Sequence, residues 1–374
     1  MTAARHLYVH VPFCSRRCSY CDFAIAVRRS VPVADYLDAL AAELERRLDE
    51  APMGPLETVY LGGGTPSKLG PDGVAGLLDS VRQAGVRNSG HLAEVTIEAN
   101  PEDVTPAAAA AWRAAGVNRL SLGAQSFHEG ALKWMHRTHD AGAIGRAVRV
   151  GRETGISDLS LDLIFALPAH LDRDWEADLS AAIALEPDHL SLYGLTVEPH
   201  TPLGRWAARG DVREAPEERY ASEFLLAHRT LASAGFAHYE VSNFARPDHE
   251  SRHNSAYWRR VPYLGIGPSA HSFDGAARRW NEREYAAWKM RAKRGEDPVA
   301  GVELLNKENE RAEVVYLGLR TSEGLSTTAG DERVVEQWGT RGWAEVSGGR
   351  VVLTAEGWLR LDSLAAALTA ERSR

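Results

Sequence analysis

The sequence predicts an α/β protein: a partial (β/α)6 barrel followed by a smaller C-terminal α+β domain of winged-helix-like plan. Three observations lead there. Short apolar segments alternate six times with longer, Ala- and Leu-rich segments up to residue 234, the order of parallel strands joined by helices. Within several of the short segments polar and apolar residues alternate, so that one face is covered and the other is polar. From about Asn306 onward the order changes to helix, helix, hairpin, helix.

Taken in order, the strands are Leu7–Val11, Thr58–Leu61, Ala93–Ala99, Arg119–Ala124, Asp158–Phe165 and His189–Leu195. The helices are Val33–Leu48, Pro71–Gln83, Pro106–Ala115, Ala141–Thr154, Asp172–Leu185 and Pro216–Ala234. Pro106 suits a helix start with Thr105 as its cap, and Gly155 and Gly235 close two of the helices. Right-handed crossovers roll such a chain into a barrel or wind it into an open sheet, and six units imply a partial barrel. In "EVTIEANP", Val95 and Ile97 oppose Glu94, Thr96 and Glu98. In "RLSLGAQ", Leu120 and Leu122 oppose Ser121, Gly123 and Gln125. In "DLSLDLIF", three leucines oppose Asp158, Ser160 and Asp162. A side-chain-filled barrel wants branched apolar residues inside. The polar face fits a barrel holding a polar ligand. Glu98, Gln125 and Asp162 fall late in their strands, at the C-terminal rim where α/β sites lie.

The expected organisation is a barrel core over 1–235, an aromatic, loop-rich segment over 236–300 that completes it, and a winged-helix-like domain over 301–374. The last comprises helices Glu308–Leu319 and Thr328–Arg341, a hairpin turning at Gly348-Gly349 and a final helix. Arg333 and Arg341 among acidic neighbours make a poor DNA face, so this domain reads as a packing or partner module. The whole chain carries 43 Lys and Arg against 51 Asp and Glu, a net charge of −8, which excludes a broad basic surface for nucleic acid. No apolar run approaches the roughly 20 residues that span a bilayer. "MTAARHLYVHV" lacks a signal-peptide layout, so a cytoplasmic location is expected.

All three cysteines of the chain, Cys14, Cys18 and Cys21, fall in "FCSRRCSYCDF" directly after the first strand. Three thiols cannot form a disulfide framework, and their bunching points to metal or redox chemistry. Structural zinc wants four ligands, and neither a second Cys pair nor an H-x3-H partner is present; His10 is the available fourth donor. Three thiolates on one short loop instead suit three corners of a [4Fe–4S] cube, with the remaining iron open to a ligand. Three structural cysteines are the bland alternative.

"CSRRCSYCDF" resembles the cluster loop of the radical S-adenosylmethionine (SAM) superfamily. "LYVHVPFC", "LGGGTPS", "IEANPE", "RLSLGAQSF", "MHRTHD", "LDLIFALP" and "YLGIGPSAHSF" continue the resemblance, in order, to the oxygen-independent coproporphyrinogen III oxidase family of porphyrin biosynthesis. The resemblance implies a radical-SAM barrel, a [4Fe–4S] cluster on Cys14, Cys18 and Cys21, and SAM held by Tyr8, Tyr20, Gly63, Gly64, Thr65, Glu98, Gln125, Arg137, Asp162, Thr196 and His271. Glycines at 63 and 64 would let the backbone approach the ligand closely.

Within the family, three features point to its haem-chaperone (HemW) branch. The oxidases carry a fourth cysteine where this chain has Phe23. They also have a substantial segment ahead of the cluster loop, whereas Cys14 comes almost at once. "RHNSAYW" matches the H-N-x-x-Y-W signature of the chaperone branch. That branch implies haem binding and transfer to an acceptor protein, without the oxidase activity. A homodimer and peripheral membrane contact through the acceptor stay open. His253, Asn254, Tyr257 and Trp258 are the haem candidates: an imidazole can ligate iron and flat rings can face a porphyrin. Arg252, Arg259 and Arg260 are candidate partners for the propionates, and His249 and His271 are rival axial ligands. The alternative is a radical enzyme acting on a tetrapyrrole, by oxidative decarboxylation or another hydrogen abstraction.

Overall fold

The computed structural model describes residues 3–84 and 92–373. Its centre is six parallel strands: β1 (His6–Val11), β2 (Thr58–Gly63), β3 (Glu94–Ala99), β4 (Arg119–Gln125), β5 (Asp158–Phe165) and β6 (His189–Gly194). They lie side by side in chain order. The crossover helices include Val33–Glu50, Gly70–Gln83, Pro106–Ala114, Ala141–Glu153 and Trp175–Ala184, and Glu217–Ser233 follows β6. Thr105 caps its helix as expected, accepting from the Ala108 amide. Asp172 does not start the fifth helix. It sits in the left-handed region at φ 49°, and Asp174 caps instead, accepting from the Glu176 and Ala177 amides.

Strands face the helices with Leu7, Val59, Ile97, Leu120 and Leu161, all fully buried, against Leu40, Leu77, Trp112 and Ile144. Each such side chain contributes about 1.5–3 kcal/mol of burial. The opposite face of the same strands carries Tyr8, Tyr60, Glu98, Ser121 and Asp162, and this polar concave side holds the site.

The sheet is open, not a closed barrel, and it continues past the six units. β7 (Ala237–Glu240) and β8 (Asn243–Ala245) extend it beyond β6. On the other side β9 (Tyr263–Ile266) runs parallel to β1, followed by antiparallel β10 (His271–Phe273), β11 (Ala277–Asn281) and β12 (Val299–Leu304). The expectation of a loop-rich 236–300 segment is therefore corrected. Its strands are three to six residues long, and "ARRWN" carries two arginines mid-strand, so no apolar run betrays them. The segment also holds the helices Arg252–Trp258 and Tyr285–Lys293.

Past β12 the helix Lys307–Leu319 packs on the last helix, Leu361–Arg372, and Glu332–Thr340 packs on the hairpin Ala344–Ser347/Arg350–Leu353. Leu325–Ser326 adds a third antiparallel strand. Among the described residues no helix is long and apolar enough to cross a membrane.

One buried carboxylate ties the added strands to the first helix. Glu43 accepts from the Gly267 amide at 2.9 Å, Trp288 Nε1 at 2.7 Å and Asn281 Nδ2 at 2.6 Å. Glu43→Ala strands three buried donors. It is expected to lower the unfolding free energy by about 3 kcal/mol or more, read from urea denaturation; a loss near zero would contradict this role.

Candidate cluster and cofactor site

The cysteine loop leaves the C-terminal end of β1 and is pinned on both legs. Phe13–Cys14 pairs with Ala26–Val27 as a short parallel ladder. The Ala26 amide donates to Pro12 O at 2.7 Å and the Arg28 amide to Cys14 O at 2.9 Å. His10 Nε2 donates to Ala24 O at 2.9 Å, while its Nδ1 meets the Tyr8 hydroxyl at 3.1 Å. The tip is held from across the sheet: the Ser19 amide donates to Met135 O at 3.1 Å, and the Leu203 amide to Ser19 O at 2.8 Å. The loop thus has a defined shape before any ligand enters.

Cys14, Cys18 and Cys21 are free, half-buried and line one cavity of about 580 Å³. The Thr65 hydroxyl lies 3.3 Å from Cys14 Sγ, and Arg137 Nη1 donates to Cys18 Sγ at 3.4 Å. Burial pushes the Cys14 thiol up to about 11 and raises that of Cys21. Both thiols are then protonated at neutral pH until a cationic centre takes the protons' place. Three sulfurs converging on one cavity, with hydrogen-bond donors beside two of them, fit an iron–sulfur cluster. The zinc alternative needed His10 as fourth ligand, but both its ring nitrogens are engaged.

Behind the thiols the cavity is walled by strand ends. Gly63 has φ 110°, and a Cβ there would come within 2.6 Å of the His10 ring; at Gly64 it would meet the Pro12 backbone at 2.6 Å. The turn after β2 can approach the cysteine loop only as glycine. Glu98 accepts from the Gly63 amide at 3.0 Å and from the Tyr60 hydroxyl at 2.8 Å. Ser121 Oγ donates to both Asp162 oxygens, at 3.2 and 3.3 Å. Burial raises the carboxyl of Glu98 to about 7, helped by the Asp162 charge, and burial raises Asp162 to about 6. Arg137 Nη2 is anchored by Asn100 Oδ1 at 2.6 Å and Gly123 O at 2.8 Å.

Tyr20, Gly63, Gly64, Thr65, Glu98, Gln125, Arg137, Asp162 and Thr196 all line this cavity with the thiols. Tyr8 and His271 are not among the residues that line it. Tyr8 stands behind it, stacked on Tyr60 with ring centroids 6.1 Å apart. His271 lies exposed on β10, its ring stacked on Trp280 at 6.0 Å. The sequence reading passed over Asn100 and Tyr60. Asn100 sits inside "IEANPE", and Tyr60 alternates with the buried Val59 and Leu61.

The "RHNSAYW" segment is a helix at the opposite end of the sheet. Ser251 caps it, and the Glu94 carboxylate accepts from the Arg252 amide at 2.7 Å and the His253 amide at 3.1 Å. His253 is 0% exposed. Its Nδ1 engages Thr58 Oγ1 at 2.7 Å and its Nε2 the Tyr257 hydroxyl at 2.7 Å. Burial drives its pKa down to about 3, so the ring is neutral and both nitrogens are spent. As the chain is folded, neither ring nitrogen is open to an added ligand. Tyr257 is held by the same bond, Asn254 belongs to the helix's capped first turn, and Trp258 lies under the Arg320 guanidinium at 4.2 Å. Arg259 pairs with Glu323, and Arg260 with Glu313 at 2.8 Å. His249 Nδ1 lies 3.2 Å from Asp158 Oδ1, beside Asp188, while Arg119 and Arg152 pair with the two carboxylates.

Both cavity carboxyls bind protons more tightly in the folded chain than at their ordinary values of 4.5 for Glu and 3.8 for Asp. Their ionisation therefore opposes folding: the stability they contribute is present below those values and is lost as pH rises through about 6 and about 7. Thermal unfolding against pH is expected to show this decline, and Glu98→Gln to flatten its upper part. Equal slopes in both proteins would contradict the burial of an ionisable Glu98.

Residues 8–182 match the radical SAM superfamily. The heme chaperone HemW of Mycobacterium tuberculosis is 38% identical over 364 residues, covering 96% of this chain and 93% of the relative. That of Bacillus subtilis is 33% identical over 333 residues, covering 89% and 86%. Among solved structures, the coproporphyrinogen III oxidase HemN of Escherichia coli superposes with a TM-score of 0.82 at 23% identity, over 98% of this chain and 90% of that one. That last likeness is one of fold. With most of its length shared with such relatives, the chain belongs to the radical SAM superfamily and, within it, to the heme chaperone HemW family.

Proposed function

We propose that the protein binds haem and passes it to an acceptor protein, and that it carries a [4Fe–4S] cluster on Cys14, Cys18 and Cys21 with SAM in the cavity behind them. The observation that carries the cofactor part is the convergence of three half-buried thiols and two buried carboxyls on one cavity. When bound, the cluster supplies an electron to the SAM sulfonium. The chain's own groups do the rest. Gly63 and Gly64 give backbone access. Glu98 and Asp162 accept bonds from hydroxyl or ammonium groups of the ligand. Arg137, fixed by Asn100 and Gly123, donates toward Cys18 and tunes the cluster by hydrogen bonding to sulfur.

The haem part rests on the relatives' shared name, and Phe23 supports it against the oxidase reading: it occupies the position of a fourth cysteine and stands 66% exposed at the cavity mouth. For the axial ligand we take His271. It is exposed, stacked on Trp280, and makes no side-chain hydrogen bond among the described residues. Partial desolvation of the ring, aided by the nearby Arg278, lowers its pKa, which favours the neutral, ligating form of the imidazole at pH 7.

Haem added to the purified protein is expected to give a Soret band that His271→Ala shifts or abolishes. No band in the parent protein, or conversion of coproporphyrinogen III to protoporphyrinogen IX under anaerobic reducing conditions with SAM, would overturn the chaperone reading. Cys18→Ala leaves two thiols and is expected to give no broad visible iron–sulfur absorption after anaerobic reconstitution. An intact absorption in that variant would remove Cys18 from the ligand set.

A further inference from the structure

The helix Arg252–Trp258 is built tightly into the end of the sheet remote from the thiols, yet it reaches the cavity through a column of rings. The His253 ring stacks on Tyr60 at 5.2 Å with an interplanar angle of 29°, and Tyr60 stacks on Tyr8 at 6.1 Å. The Tyr60 hydroxyl donates to one oxygen of Glu98, and the other oxygen receives the Gly63 amide. The Tyr8 hydroxyl meets His10, whose far nitrogen holds the cysteine loop at Ala24.

The base of this column is over-determined. Thr58 Oγ1 engages both His253 at 2.7 Å and His6 at 2.9 Å, and the His6 ring meets His253 edge-on at 6.2 Å. His253 and Tyr257 lie one helical turn apart and bond to each other. Glu94 fixes the helix start, and Arg320 covers Trp258 at its end. The imidazole cannot turn without breaking two buried hydrogen bonds. The Tyr60 side chain, by contrast, makes one hydrogen bond among the described residues, its hydroxyl on Glu98, so its ring plane is set by what stacks on it.

We propose that His253 is a positioning residue of the cavity: stacked on the Tyr60 ring, it keeps the Tyr60 hydroxyl on Glu98 and so keeps the Glu98 carboxylate clamped to the Gly63 amide. The H-N-x-x-Y-W helix is then a strut beneath the cofactor cavity. It also joins that cavity to the C-terminal region, since Arg320, Glu313 and Glu323 grip its far end.

Hydrogen exchange at the Gly63 amide tests this directly and needs no bound cofactor. Three variants decide it. His253→Ala removes the ring, His253→Phe keeps a flat ring under Tyr60, and Tyr60→Phe keeps the stack but removes the hydroxyl. Exchange at Gly63 is expected to rise about tenfold or more in His253→Ala and Tyr60→Phe, the loss of the hydrogen bond to Glu98, and to stay near the parent value in His253→Phe. Unchanged exchange in a folded His253→Ala, or equal acceleration in His253→Ala and His253→Phe, overturns the proposal. If His253→Ala does not fold, the other two decide: Tyr60→Phe accelerated with His253→Phe normal supports it, and any other pair of results overturns it. Equilibrium binding of SAM to the cluster-loaded variants, which rests on the proposed function, should weaken in the same order. Exchange that follows this order while SAM affinity does not would leave the positioning role standing and count against SAM as the occupant.

Discussion

The site depends on a loop closed by backbone hydrogen bonds. Eight residues from Cys14 to Cys21 are held at their base by the pairing with Ala26–Val27 and at their tip by Met135 and Leu203. Burial makes free thiolates unfavourable there, so a preformed loop lowers the entropy that a cluster would otherwise spend in gathering its ligands. The glycine turn at 63 and 64 follows from the same closure. With His10 and Pro12 packed against it, no side chain fits.

The second constraint is a polar face enclosed within an otherwise apolar scaffold. Glu98 and Asp162 sit where burial disfavours their charge, each stabilised by only a few donors. Such groups cost folding free energy, and the core of leucines, valines and Trp112 on the other face of the same strands offsets it. The carboxyls and the thiols share one requirement: a cationic or hydrogen-bond-donating ligand improves both at once.

Much of this was legible in the chain. All six parallel strands appear within about two residues of their expected ends, because period-two alternation and flanking glycines mark buried strands strongly. The polar set of Glu98, Gln125 and Asp162 was readable from strand parity alone. The extension by β9 to β12 was not: those strands are short, and Val302 and Leu304 are exposed rather than alternating inward. The chemistry of His253 was visible as a motif, but its location was not. A histidine four residues before a tyrosine, after a serine cap, also spells a helix whose one face is buried, and partners distant in sequence, Glu94 and Thr58 among them, determine where that helix docks. Tyr8 and His271 show the same limit. One is a ring behind the cavity wall and the other lies on an added strand, positions that residue type does not encode.

The central claim is that three thiols hold a cluster with an open coordination site facing the cavity of Glu98 and Asp162. Electron paramagnetic resonance of the anaerobically reconstituted, reduced protein with and without SAM tests it most directly. The account predicts a [4Fe–4S] signal whose g values change when SAM is added. A signal indifferent to SAM, or protein that binds zinc in place of iron and sulfide, would contradict it.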